Sequence, residues 1–307
     1  MEPAADLRIS AYEGAEVISE LGADLWSLVC AVSAELVSVS PLTGDDYPGY
    51  QPKAFRLTFA GGHVLKGRRV ATAQQAEMVE SVSRALADRG VPRVLSRSGA
   101  AFLSDWIDGE PLRTGHVDAA VLRRCGVLHG CTHSSPLPAP ARAFDSGAYV
   151  RRRLDAVAQL AELDQELAHA AARIAAAHAP ADFAWGFGFG DFCAENIVLR
   201  PSGDVCLVDT ESLSILPCDY DLGRSWYRWP MQRAEREAYF EGYRAHRQPT
   251  DFYAHFPYWA ITAIADGALF RSRIGGPAAA MVPLQRLRAL VHALDHDVTA
   301  EDAIFLS

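Results

Sequence analysis

Lysine is nearly missing from this chain. Of 29 basic side chains in 307 residues, only Lys53 and Lys66 are lysine. A sequence so poor in lysine draws attention to the two positions that keep one. Other absences exclude whole classes. No run of about 18 apolar residues occurs, so no membrane-spanning helix is expected. The start, Met1-Glu2-Pro3-Ala4-Ala5-Asp6, lacks the basic-then-apolar pattern of a secretion signal, and the expected location is cytoplasmic. The six cysteines form no Cys-x-x-Cys pair and no metal spacing with histidine, so they read as free thiols in a reducing compartment. Gly-x-x-x-x-Gly-Lys-Ser/Thr, His-Glu-x-x-His and Gly-x-Ser-x-Gly are all absent. That sets aside P-loop nucleotide hydrolysis, zinc hydrolysis and the strained serine elbow. Gly186, Gly188 and Gly190 alternate, but they open no helix after a strand and an acid follows at once, so they are not a dinucleotide fingerprint.

What is present fits a soluble globular protein: 50% of residues are apolar and 22% charged. The net charge of −9 argues against nucleic acid as a partner, because phosphate backbones favour basic surfaces. It is compatible with a cationic small molecule.

Two textures follow one another along the chain. Residues 1–33 are partly helical, with Val17, Leu21, Leu25 and Leu28 at helical spacing. Strands are expected over 35–40, 54–59 and 63–66, the last two joined by Gly61-Gly62. Thr72 to Gln75 reads as a capping box opening a helix that ends near Gly90. Two more strands follow, over 91–95 and 100–104. After Trp106-Ile107-Asp108-Gly109 the pattern becomes helical, with stripes through Val117, Val121, Cys125 and Leu128 and through Val150, Leu154 and Val157. Helices are also expected over 235–244, 259–270 and 283–294. The expected organisation is α+β: a small antiparallel-sheet lobe over 1–107, with an N-terminal helical extension, and a larger helical lobe over 108–307. Trp226, Tyr227, Trp229, Tyr258 and Trp259 read as core, with an acceptor pocket as the alternative.

One stretch interrupts the helical part. Phe189-Gly190-Asp191 leads to Asn196, then to two short apolar runs, 197–199 and 205–208. Between them Arg200-Pro201-Ser202-Gly203-Asp204 is a turn signal, so the runs form a hairpin. Pairing Leu199-Arg200 with Val205-Cys206 sets Asn196 opposite Asp209, beside the Asp191 loop. Hard oxygen ligands next to a proton acceptor suit a divalent cation and a reacting hydroxyl.

These segments resemble the aminoglycoside phosphotransferase and choline kinase-like superfamily, which has the two-lobed protein-kinase-like fold. That family's loop reads His-Gly-Asp-x-x-x-x-Asn, matched here at Gly190, Asp191 and Asn196. Its Asp-x-Glu matches Asp209-Thr210-Glu211, and its later Asp-Leu-Ala/Gly matches Asp221-Leu222-Gly223. Val64-Leu65-Lys66 is similar to its strand lysine, Gly90 to Leu95 to its next connection, and Trp106 to Leu112 to its hinge exit. The resemblance covers roughly residues 34–270.

The resemblance implies transfer of the γ-phosphate of ATP, with GTP the alternative donor, to a hydroxyl of a small molecule. An aminoglycoside-like or other natural-product acceptor is the first expectation, and with it a part in antibiotic resistance. By the same resemblance Asp191 is the catalytic base and Asn196 and Asp209 bind Mg²⁺. Lys66 contacts the phosphates and is paired by Glu77, with Glu80 one turn on as the alternative. The backbone of Asp105, Trp106 and Ile107 receives the adenine. Glu211 supports the metal or touches substrate, and Asp221 is a substrate group or a structural cap. The implied partners are the small-molecule acceptor, no nucleic acid and no membrane, with the chain a monomer or homodimer.

Two departures stand out. Phe189 replaces the family histidine and is expected to brace the loop by packing. Asp45 and Asp46 occupy the loop that should cover the phosphates, where carboxylates repel a triphosphate. Together they motivate the alternative of a pseudokinase, a nucleotide- or protein-binding module without turnover.

Overall fold

The computed structural model describes residues 7–8, 14–42, 53–115, 117–137, 145–160, 165–296, 298 and 303. The acidic loop with Asp45 and Asp46 lies outside them. In chain order the elements are β1 (Leu7–Arg8), α1 (Gly14–Leu21), α2 (Ala23–Cys30), β2 (Leu36–Pro41), β3 (Ala54–Phe59), β4 (Val64–Arg69), α3 (Ala73–Ala85), β5 (Val94–Ser98) and β6 (Ala101–Asp105). They continue with β7 (Glu110–Pro111), α4 (Ala119–His133), α5 (Ser146–Leu160), α6 (Gln165–Ala177), β8 (Trp185–Gly188), β9 (Ile197–Leu199), β10 (Val205–Leu207) and β11 (Ser214–Pro217). The last helices are α7 (Cys218–Arg228), α8 (Arg233–Arg244), α9 (Thr250–Ala254), α10 (Phe256–Gly275) and α11 (Met281–Asp295). The chain divides into two compact units. One is Met1–Glu110 with Val198–Ser214, and the other is Pro111–Ile197 with Ile215–Ser307.

The first unit is built on an antiparallel sheet in the order β1-β2-β3-β4-β6-β5. Side chains alternate across it. Phe55, Leu57, Phe59, Leu65 and Leu103 share one core with Leu21, Leu25 and Leu28 of α1 and α2. Phe102, one residue from Leu103, instead meets Ala76 and Val79 of α3. The same alternation sends Lys66 and Arg68 of β4 to the face opposite Leu65. Helix α3 opens as its sequence implies: the Thr72 hydroxyl accepts from Gln75 N–H at 3.1 Å, and the Gln75 side chain accepts from Ala71 N–H at 3.1 Å.

This helix ends at Ala85, short of Gly90, and β5 begins at Val94 rather than Val91. Pro92 has no N–H to give a ladder. Its carbonyl accepts from the Ser83 hydroxyl at 2.8 Å, and that hydroxyl accepts from Val94 N–H at 2.9 Å, so the segment is tied to α3 before the strand starts. The expected hairpin turn forms, with Arg200 N–H donating to Asp204 O at 2.9 Å and Gly203 N–H to Arg200 O at 2.8 Å.

The second unit is helical. The first half of α10, from Phe256 to Ala265, is buried, as a helix segment apolar on all faces must be. Trp226, Tyr227, Trp229, Tyr258 and Trp259 are buried too, so these aromatics are core. Helices α4 and α8 touch through glycine. A Cβ on Gly126 would lie 1.9 Å from Tyr239 O, and one on Gly242 would lie 1.8 Å from Arg123 O. Only a residue without a side chain lets these backbones approach so closely. Among the described residues no helix is long and apolar enough to cross a membrane.

Gly242→Ala should therefore force α8 off α4 and destabilise the protein by about 3 kcal/mol. Gly147→Ala, whose added Cβ meets nothing closer than 3.6 Å, should be neutral or stabilise by up to about 1 kcal/mol. Urea unfolding of the two variants measures the contrast.

Candidate active site

In the second unit the site begins with the turn after β8. Gly190 has φ +65°, a conformation costly for other residues, and it swings the chain from the strand into Asp191. The turn hangs on one buried carboxylate. Asp221, near the start of α7, accepts from Phe189 N–H at 2.8 Å and Gly190 N–H at 2.7 Å. It also accepts from His129 Nε2 at 2.9 Å and His133 Nε2 at 3.1 Å. The histidines lie one turn apart on α4, so their rings share a face. Their Nδ1 atoms face Tyr239 and Tyr243 hydroxyls, the second at 2.8 Å.

Burial alone would raise the Asp221 carboxyl, yet His129 and His133 outweigh it and hold the group well below the usual range. Burial, then the neighbouring His129, pushes His133 down to about 4, so it is neutral near pH 7 and donates from Nε2. The three side chains bring their ligand atoms within 4.8 Å of one another, a spacing a metal could use. Both Nε2 atoms are already hydrogen-bonded to Asp221, which leaves no lone pair for an ion there.

Asp221 is thus neither a helix cap through its side chain nor a free substrate group. It is the anchor of the loop. Phe189 sits fully buried against Phe192 and His129, with ring centres 5.2 and 5.8 Å away. Packing holds the position that a histidine fills in the family's motif.

Asp191 itself is about one-third exposed. Asn196 Nδ2 donates to Asp191 O at 2.9 Å and to its Oδ2 at 3.3 Å, which turns the Asn196 carbonyl oxygen away from Asp191. Two arginines from α7 reach Asp191 Oδ1: Arg228 Nε at 2.9 Å and Arg224 Nη2 at 3.7 Å. Cys193 is buried, and burial, then Asp191, pushes its thiol up to about 12, so it is no thiolate.

In the first unit Lys66 Nζ lies 3.3 Å from Asp209 Oδ1 and also donates to Val208 O. Arg68, on the same strand face, is 3.4 Å from Asp209 Oδ1 and pairs with Glu211. Gln75 Nε2 donates to Glu211 O at 2.8 Å. Lys66 is therefore matched by Asp209 and not by Glu77, which is exposed on α3. Glu80 is taken by Arg84 and Arg97 at 3.1 and 3.0 Å.

Burial works against the Asp209 charge. A hydrogen bond from Glu211, with Lys66 and Arg68, outweighs it and brings Asp209 to about 2. Burial, then Asp209, pushes Glu211 up to about 8. The pair holds one charge firmly on Asp209.

Asp105, Trp106 and Ile107 line a cavity of about 430 Å³ with His63, Val64 and Arg200. Asp105 N–H is already given to Arg93 O at 3.0 Å, and its carboxylate pairs with Arg93 at 3.0 Å. Trp106 Nε1 donates to Asp108 at 3.0 Å.

The phosphotransferase enzyme family matches residues 49–253, two-thirds of the chain. The chain belongs to that family. No curated protein matches it. Among solved structures it is similar to the choline kinase LicA of Streptococcus pneumoniae, at 12% identity over 91% of this chain and all of that one, TM-score 0.65. A LicA structure in complex with AMP matches at 12% identity over 92% and 99% of the two chains, TM-score 0.60. It is also similar to the macrolide 2′-phosphotransferase MphH of Brachybacterium faecium, at 17% identity over 87% and 98%, TM-score 0.57. An aminoglycoside phosphotransferase of Alicyclobacillus acidocaldarius matches at 16% identity over 79% and 89%, TM-score 0.53. At these identities the likeness is one of fold, and the fold is that of the kinase-like phosphotransferases.

Five basic residues around Asp191, Asp209 and Asp221 are not marked by any motif: Arg68, His129, His133, Arg224 and Arg228. Spacing is the available signal. Arg68 is two residues from Lys66 on a strand, and the pairs His129/His133 and Arg224/Arg228 are each four apart on a helix.

The His133 environment sets a pH dependence. The unfolded chain binds a proton near pH 6.5 that the folded chain refuses until about 4, so this stability is present above pH 6.5 and is lost as pH falls to 4. The change is worth about 3 kcal/mol. His133→Gln should flatten the fall of the thermal midpoint across that window.

Proposed function

We propose that this protein transfers the γ-phosphoryl group of ATP to a hydroxyl of a small molecule, with Mg²⁺. The observation that carries the reading is Asp191. It sits about one-third exposed on a loop whose backbone is anchored by a fully buried, fourfold-bonded carboxylate. Such anchoring suits a group that must meet an acceptor hydroxyl in one orientation. Asp191 is the base that takes the hydroxyl proton.

Asp209 in the first unit is held ionised, and in the second the Asn196 carbonyl oxygen accepts no hydrogen bond among the described residues. Each is an oxygen donor that suits a hard cation, and they are the residues expected to hold Mg²⁺, which when bound neutralises charge on the phosphates. Lys66 and Arg68 supply further positive charge in the first unit, and Glu211 supports Asp209. ATP as donor draws support from the LicA complex with AMP, and Asp105 to Ile107 are the residues for the base. The packing of Phe189 and the retained acids support turnover over a nucleotide-binding module without it. An aminoglycoside-like acceptor draws no support from the two arginines on Asp191.

Asp191→Asn should lower kcat for Mg²⁺-dependent transfer from ATP by about 10³-fold while ATP still raises the thermal midpoint. Asn196→Ala should raise the Mg²⁺ concentration needed for half-maximal rate. Phosphate transfer across a panel of hydroxylated metabolites and antibiotics is the measurement. Absence of both transfer and an ATP-induced shift would sink the reading.

A further inference from the structure

Resting on the assignment of Asp191 as the acceptor-facing base, we propose that the acceptor carries an anionic group, a carboxylate or a phosphate, bound by Arg228 beside its reacting hydroxyl. The charge at the site leads there. One carboxylate, Asp191, faces two guanidiniums. Arg224 is spent on the protein: Nε donates to Gly190 O at 3.1 Å and Nη1 to Ala263 O at 3.4 Å, so it fixes the loop. Arg228 is not spent. Its Nε meets Asp191, and its Nη2 has only the weak sulfur acceptor of Cys193 at 3.5 Å. Its Nη1 has no acceptor among the described residues, although the side chain is 31% exposed. Glu195, the next carboxylate in the loop, bonds to Thr114 at 3.1 Å; it lies near enough to favour the Arg228 charge but forms no salt bridge with it and leaves Nη1 open.

A fork of N–H donors with an open end is the group proteins use to grip carboxylates and phosphates. Because Arg228 Nε lies 2.9 Å from Asp191 Oδ1, a hydroxyl in hydrogen-bond reach of Asp191 and an anion in reach of the rest of the guanidinium belong to neighbouring parts of one small molecule. Hydroxy acids, sugar acids and sugar phosphates carry both groups. The acceptor oxygen forms the new O–P bond, the bond from the γ-phosphorus to the ADP oxygen breaks, ADP leaves, and the hydroxyl proton passes to Asp191. The anion on Arg228 takes no part in bond making.

The test uses acceptors matched in hydroxyls and different in charge: glucuronate, glucose and glucosamine, 3-hydroxybutyrate and 1,3-butanediol, with glucose 6-phosphate to separate phosphate from carboxylate. Transfer from MgATP and thermal shift are read on the full chain. Anionic members should be phosphorylated ahead of their neutral and cationic counterparts. Arg228→Gln should raise the KM for the anionic acceptor by about 10²-fold, with kcat changed only a few-fold, and Arg228→Lys should restore part of that loss. Midpoints of both variants in the absence of ligand show whether they fold, and the charge preference of the unmodified protein stands as evidence without them. The proposal is overturned if neutral or cationic acceptors are preferred, or if ATP binds and no anionic member is phosphorylated. It is also overturned if Arg228→Gln lowers kcat and leaves the acceptor KM alone, since the arginine then serves the transferred group. If MgATP neither shifts the midpoint nor supports any transfer, the phosphotransfer reading fails and takes this one with it.

Discussion

Four hydrogen bonds converge on the buried Asp221 carboxylate, and the second unit's chemistry depends on them. Two come from the backbone of the loop that carries Asp191, and two from histidines on α4. A lone charge with no exposed surface is very costly. Here each donor offsets part of that cost, and in doing so each is pinned in place. The loop therefore has no freedom to slide along the helices beneath it. Tyr239 and Tyr243 extend the restraint from the histidines to α8. The close α4–α8 crossing, made at Gly126 and Gly242, brings those tyrosines within reach.

The first unit solves a related problem with charge pairs. Lys66 and Arg68 project from one face of β4, and Asp209 and Glu211 are spaced by the same period of two. Two cations meet two acids, one of which, Glu211, is pushed toward its neutral form. Lys66 is held by this pairing and owes nothing to an acid on α3. Gln75 ties that helix to the Glu211 backbone instead.

Much of this was legible in the residues. Alternation in Ala54–Phe59 and the capping residues of α3 announce their elements, because local hydrogen bonds and side-chain period decide them. Gly190, Asp191, Asn196 and the Asp-x-Glu of Asp209 are recognisable because a loop motif keeps its residues close in sequence. That Lys66 is matched by Asp209 rather than by Glu77 was not legible. A helix turned by a fraction of a turn exchanges Glu77 for Gln75, and packing of Ala76 and Val79 on Phe102 sets that rotation. The start of β5 was missed for a similar reason, since the Ser83 bonds to Pro92 and Val94 join residues from different elements.

The sequence by itself determined the class of the chain: an antiparallel sheet followed by helices, with a glycine-led acidic loop and a hairpin inserted among them. Period, turn residues and motif spacing are local properties, and they survive without any knowledge of neighbours. Only the tertiary structure decided what surrounds the acids. It brought His129 and His133 some ninety residues across the chain to Asp221. It set Phe189 in an aromatic core and placed Arg224 and Arg228 on Asp191. Those partners meet because helices pack, and packing is settled by the whole set of buried surfaces at once rather than by any one segment.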